Sequence, residues 1–369
     1  MKTRIASGVL AIVCAVATLP AGTALAQTLP DYYPADYKQM VEASRKEEGL
    51  LVYSVMAAFN WKPVLDSFAK KYPWIKVETL DLSNELWDRY YTEKSSGSRT
   101  ADFIAAFGIP RWLQASERQE LIDYKSPEAP HLPKWANPIP GAYALSADPS
   151  LIVWNKRVLP AGARPDTMEK ITQLASAENK KLNGKLVTYD AGAGAETAIW
   201  NWVWAQGHGE KIWDTYKVIG PMSKAERSGG AMLEKLTTGE YALAYLISGI
   251  TVFPKLADPA RKAVIDWSFF KDRQPIYPRL MATTKGGRSP NSAKLLLDHV
   301  LSYEGQAGFG KGGLTPVREL KPEDITYYTY HSIVKEVGGE DKIQIMTYDP
   351  AQLPAIDQFV TRWKAAYNR

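Results

Sequence analysis

The chain has 369 residues, 45 Lys and Arg against 40 Asp and Glu, a formal charge of +5 and one cysteine. Near-balanced charge without a dense Lys/Arg block argues against a nucleic-acid partner. Cys14 falls in a segment expected to be removed, which excludes disulfides, thiolate metal ligands and a cysteine nucleophile from the mature protein.

That segment, residues 1–26, has the layout of an export signal: Lys2 and Arg4, an apolar stretch over 9–19, and Ala24-Leu25-Ala26 before Gln27. The stretch is too short for a bilayer span of about 20 residues. Cleavage after Ala26 takes Lys2 and Arg4 away, lowers the charge from +5 to +3, and leaves enough chain for two compact lobes.

After an arm at 27–37 containing Pro30, Pro34 and several tyrosines, regular structure is expected from Gly49 onward. Leu50-Leu51-Val52-Tyr53-Ser54 reads as a buried strand, and 61–72 as an amphipathic helix with Val64, Phe68 and Tyr72 on one face. Residues 75–80 alternate as a strand, Ser83-Asn84-Glu85-Leu86 opens a helix to Lys94, and 101–107 is another buried strand. This order predicts an open, mainly parallel α/β sheet, because parallel neighbours need a crossover helix. Such sheets bind ligands beyond the carboxyl ends of their strands, here 53–57 and 106–108.

A second α/β set follows over 144–248. It has a strand at Leu151-Ile152-Val153-Trp154, another at 185–189, and helices from Glu196 and Gly230. Without a Gly/Ser linker between the sets, the lobes should be joined by strand-like crossings. The run at 239–253 has one charged residue, Glu240, and is too short for a membrane span. Within it 241–247 reads as a strand buried on both faces, broken at Ser248-Gly249 where the chain would pass back into the first lobe.

Several stretches, in order, resemble the periplasmic solute-binding proteins of ATP-binding-cassette (ABC) importers, in the branch that includes the ferric-ion-binding proteins. They are Gly49 to Ser54, Lys71-Tyr72-Pro73-Trp74-Ile75-Lys76-Val77-Glu78, Thr100-Ala101-Asp102-Phe103, Gly184-Lys185-Leu186, Ser228-Gly229-Gly230 and Thr238-Gly239-Glu240. Leu301-Ser302-Tyr303-Glu304-Gly305-Gln306 and Leu314-Thr315-Pro316-Val317-Arg318 extend the likeness. The resemblance implies an α/β, type II two-lobe fold closing by a hinge on a solute, in a periplasmic, monomeric, non-enzymatic protein that needs no cofactor and docks on an inner-membrane permease. The expected division is 27–143 for the first part of lobe 1, 144–249 for lobe 2, 250–310 for the return to lobe 1, and 311–369 for a C-terminal helical segment packing on both. The run at 239–253 would then be the returning crossing strand.

Iron binders of this branch use a histidine after the first strand, a glutamate after the Ala-Asp strand and adjacent tyrosines after the Gly-Glu strand. By register those places hold Ala57, Phe107 and Gly249-Ile250, none of which offers the hard oxygen ligands that ferric iron requires. His131, His208, His299 and His331 lack a second ligand at metal spacing. Tyr90-Tyr91 lies inside a predicted helix, where neighbours diverge.

The expected ligand-binding set is therefore small residues, hydroxyls, aromatics and amides: Ser54, Ala57, Phe107, Gly108, Tyr189, Gly194, Arg227, Ser228, Gly229 and Ser248. Glycine-led helix starts at Gly194 and Ser228-Gly229-Gly230 leave N–H groups free for an anion. Of the candidate arginines Arg111, Arg227 and Arg279, Arg227 has the best claim because it precedes that turn. One of Trp200, Trp202 and Trp204 is expected to reach the cleft and the others to fill the core. The expected solute is small, organic and anionic. An iron or iron-chelate binder, a periplasmic hydrolase and a sensory module remain as alternatives, although no G-x-S-x-G or H-E-x-x-H motif is present.

Overall fold

The computed structural model describes residues 29–82 and 85–369; the export segment and the Ser83-Asn84 helix start lie outside the described residues. The chain divides into a unit ending at Tyr33 and a second, Pro34–Arg369, and the architecture below is that of the second.

Among the described residues ten strands form one mixed sheet: β1 Leu50–Ser54, β2 Val77–Asp81, β3 Phe103–Ala106, β4 Ala142–Asn155, β5 Leu186–Tyr189, β6 Ser223–Glu226, β7 Leu243–Ser248, β8 Ile265–Ser268, β9 Gln274–Thr283 and β10 Ile343–Ile345. The order is β2-β1-β3-β9-β4-β7-β5-β6, with β10 beside β9 and β8 beside β4. β1 pairs in parallel with β2 and β3, and β5 in parallel with β6 and β7. The parallel pairs require the crossover helices Ala58–Lys71 and Leu86–Ser95 in the first lobe and Ala195–His208 and Gly229–Thr238 in the second. With helices on both faces, β1 is buried at every position, which is why its sequence is a continuous apolar run. Gly49 starts it at φ +107°, and a Cβ there would stand 3.0 Å from the Lys76 carbonyl, so the chain needs glycine where β1 meets β2.

Two long strands join the lobes. The first part of β4, Ala142 to Pro149, pairs antiparallel with β9, and its second part, Ser150 to Asn155, pairs with β7 and β8. β9 runs back from that junction to β3. Gln274 pins the junction, donating to the Ser150 carbonyl at 2.9 Å and accepting the Phe270 amide at 2.9 Å. The expectation for the run at 239–253 is corrected here. β7 stays in the second lobe between β4 and β5, and the chain makes β8 there before returning through β9, not at 250. The cause lies in pairing. An apolar run buried on both faces fits any central strand, and only the partners distinguish a crossing strand from an interior one.

The C-terminal segment touches both lobes. Tyr330 meets Trp135 edge-on at 4.9 Å, β10 extends the sheet beside β9, and helix Leu353–Ala366 lies on helix Ala195–His208. Among the described residues no helix is long and apolar enough to cross a membrane.

Candidate functional site

The carboxyl ends of β1, β3, β5 and β7 and the β4–β9 crossing ribbon converge between the lobes. Opposite residues of an antiparallel pair share a face. Ser146 pairs with Arg279 and Asp148 with Tyr277, so these four side chains stand on one face of the ribbon. Arg279 donates from Nη2 to Asp148 Oδ2 at 3.0 Å, with side-chain exposures of 8% and 1%, a desolvated pair. Yet Arg279 Nε, Asp148 Oδ1 and the Ser146 hydroxyl are buried without a hydrogen-bond partner among the described residues, as is the Ser248 hydroxyl at the end of β7. Buried polar groups are almost always paired, so four orphans at one locus mark a place built for something polar.

Tyr189 links this polar floor to an aromatic wall. Its hydroxyl lies within reach of the Ser248 amide, and a Cβ on Gly229 would come 2.7 Å from it, so glycine leaves that oxygen its room. Burial holds the phenol neutral by raising its pKa well above the usual value. The Tyr189 ring stacks on Trp200 at 4.8 Å and 24°, Phe107 stacks on Trp200 at 5.0 Å and 18°, and Tyr277 packs against the same indole at 4.3 Å. Phe107 comes from the first lobe and Trp200 from the second, so this contact spans the two lobes.

Ionic groups flank it. Arg111 of the first lobe binds Asp88 at 3.0 Å and reaches Glu196 of the second at 3.7 Å. Burial raises the Glu196 pKa and Arg111 opposes that rise. A cavity of about 650 Å³ lies along the same helix, Ile109–Glu117, lined by Pro110, Arg111, Leu113 and Gln114 and by Pro350 and Leu353 of the C-terminal segment.

The structure brings Phe107, Tyr189, Gly229 and Ser248 together. Gly108, at φ +109°, turns toward Glu196, whose Cγ a Cβ would meet at 3.7 Å. Ser54 is fully buried and its hydroxyl oxygen accepts from the Met56 amide and the Trp61 indole, both at 2.9 Å, which closes the turn after β1. Ala57 is half-buried at the start of the next helix, and Gly194 is exposed at the start of another. Arg227 and Ser228 are exposed beyond β6, where Ser228 caps its helix through the Ala231 amide at 3.5 Å. Asp148, Ser146 and Tyr277 were not singled out from sequence, and Arg279 ranked below Arg227 there. The missing signal was partnership across the ribbon, since Arg279 and Asp148 are separated by 131 positions. Trp200 is the tryptophan that reaches the site; Trp202 meets Phe359, and Trp204 packs among Tyr216, Tyr245 and Phe270.

Two α/β lobes, a two-strand crossing ribbon and a polar floor under an aromatic wall define a ligand-binding protein of the type II two-lobe class. The chain belongs to the family of bacterial extracellular solute-binding proteins, whose pattern matches residues 52–307. No curated relative matches the chain. Among solved structures, the substrate-binding protein of an ABC transporter from Agrobacterium tumefaciens has a TM-score of 0.75 at 22% identity, over 87% of this chain and 94% of that one. Iron-bound HitA from Pseudomonas aeruginosa has a TM-score of 0.66 at 13% identity, over 86% and 99%. AfuA from Actinobacillus pleuropneumoniae, with fructose-6-phosphate bound, has 0.62 at 18% identity, over 87% and 98%. The resemblance inferred from sequence, to solute-binding proteins of the ferric-binding-like branch, is thus borne out at the level of fold.

Proposed function

We propose that this protein is exported to the periplasm by a signal segment cleaved after Ala26, and that as a monomer it captures a small organic anion between its lobes. It then delivers the anion to an inner-membrane ABC permease, without catalysis, cofactor or nucleic-acid partner. The observation that carries the anionic reading is Arg279: a guanidinium buried at the lobe junction whose Nε–H has no acceptor among the described residues, beside the orphan hydroxyls of Ser146 and Ser248, with Asp148 neutralising its charge through one oxygen and leaving the other unpaired. A carboxylate or phosphoryl oxygen satisfies such donors, and a guanidinium recognises these groups through directed hydrogen bonds. In this proposal the first lobe is 27–143 with the β9 return, the second runs from the middle of β4 through β8, and 311–369 straps both.

The iron reading finds Ala57, Phe107 and Gly249-Ile250 at the places where the branch would carry its ligands, and Tyr189 held as a neutral phenol. A thermal-shift screen of the mature protein against carboxylates, phosphonates, polyamines and ferric salts tests both readings. An anion present at 100 times its Kd should stabilise the fold by about 2.7 kcal/mol. Stabilisation by ferric salts or polyamines in place of anions would refute the proposal.

A further inference from the structure

Resting on that reading of an anionic solute, we propose that the solute carries a flat unsaturated ring, gripped between Phe107 of the first lobe and Trp200 of the second. Rings in the interior of the first lobe commonly meet edge-on, as Trp61 does Phe103 at 79° and Trp87 does Trp112 at 83°. Stacked pairs also occur within a lobe, as Trp87 with Tyr91 at 28° and Tyr189 with Trp200 at 24°, but Phe107 and Trp200 face each other at 18° across the line where the lobes meet. At 5.0 Å the two rings are in direct contact; hinge opening separates the faces, and a planar ring enters as a middle layer when the lobes close with the pair held one ring's thickness further apart.

The placement of the polar floor adds a second requirement. Tyr189 stacks on the same indole at 4.8 Å while its hydroxyl stands beside Ser248 and Gly229. Tyr189 thus reaches from Trp200 to the Ser248 amide, and its phenol lies within the electrostatic reach of both Arg279 and Asp148. A ring bearing a carboxylate or phosphonate would replace the direct contact of Phe107 with Trp200 by its own two faces and reach the floor with its anionic end. Gly108, at φ +109° directly after Phe107, supplies the backbone turn by which the first lobe presents that ring at the end of β3.

Titration calorimetry with benzoate, phenylphosphonate, indole-3-acetate and cyclohexanecarboxylate, which has the same charge as benzoate but a puckered ring, tests this. At least one planar acid should bind at least about fivefold tighter than cyclohexanecarboxylate. Phe107→Ala, checked for folding by circular dichroism, should erase that preference, while Ser248→Ala should weaken planar and puckered acids alike. Equal affinities for flat and puckered acids, or tighter binding of planar acids by Phe107→Ala, would overturn the ring proposal and leave the anionic reading standing. Binding of benzylamine or benzyl alcohol in preference to every acid would overturn the anionic reading itself.

Discussion

A buried guanidinium stays charged in the fold only if something compensates its lost hydration, and for Arg279 that is Asp148 at 3.0 Å. Arg279→Met leaves the carboxylate buried and alone, so the unfolding free energy should fall by roughly 3–5 kcal/mol in urea titration. The double variant Arg279→Met/Asp148→Leu should recover most of that loss, because a well-packed apolar pair replaces buried ions at little net cost. A single variant as stable as wild type would mean that water reaches the pair. Gly229 makes a second test at this scale. Its missing Cβ leaves 2.7 Å to the Tyr189 hydroxyl and 3.1 Å to Thr251 Oγ1, so Gly229→Ala should cost about 1–3 kcal/mol by overpacking. The same change should weaken solute binding by moving Tyr189. Gly229 and Ser248 were legible in sequence because glycine and serine at strand and helix ends have few roles. Arg279 was not, because an arginine's burial depends on residues far along the chain.

Helix Pro290–Leu301 carries two buried ionisable neighbours with opposed behaviour. Burial pushes Asp298 up to about 7, although Ser126, Tyr124 and Tyr37 donate to it at 2.6, 2.7 and 2.9 Å. Burial and the charge of Lys71 push His299 down to about 4, with its Nε2 at 2.8 Å from the Ser67 hydroxyl. The unfolded carboxyl titrates near about 3.9, so from there to its folded value the folded chain binds more protons, and Asp298 erodes stability as pH rises. The unfolded imidazole titrates near about 6.5, so below that the folded chain binds fewer protons, and His299 adds stability as pH rises. The two slopes oppose each other across the same window. Thermal unfolding between about pH 4.5 and 6.5 should therefore vary little in wild type. It should rise with pH in Asp298→Asn and fall with pH in His299→Gln. Parallel curves for all three proteins would show that these side chains are hydrated in the fold. Periodicity placed several elements to within a few residues, as with Val77–Asp81 against the expected 75–80, but gave no reading of helix Pro290–Leu301 and only the end of Ala142–Asn155. It could not show that Leu246, inside β7, takes φ +68° two residues before Ser248. That conformation is strained for leucine and follows from register with β4, which shifts between Leu151 and Val153.

At the scale of the whole molecule, the ion pair between the lobes is a weak latch. Arg111 and Glu196 are about a third exposed, at 33% and 29%, and stand 3.7 Å apart, so the pair contributes at most about 1 kcal/mol. Arg111→Met should change solute affinity by less than about fivefold, with small-angle scattering showing a modest shift toward the open form. A loss of a hundredfold or more would place Arg111 on the solute. The alternation of strands and helices, the near-balanced charge, the lack of cysteine beyond Cys14 and the order of family stretches together determined a two-lobe α/β binding protein. These are local or additive properties, written wherever a side chain's period matches its element. Which strand crosses between the lobes, which arginine lies at the junction and which tryptophan faces the opposite lobe were decided only in the tertiary structure. Each depends on hydrogen-bond partners, ring contacts and burial shared by residues far apart in the chain, such as Asp148 with Arg279 and Phe107 with Trp200, and no local pattern encodes such a pairing.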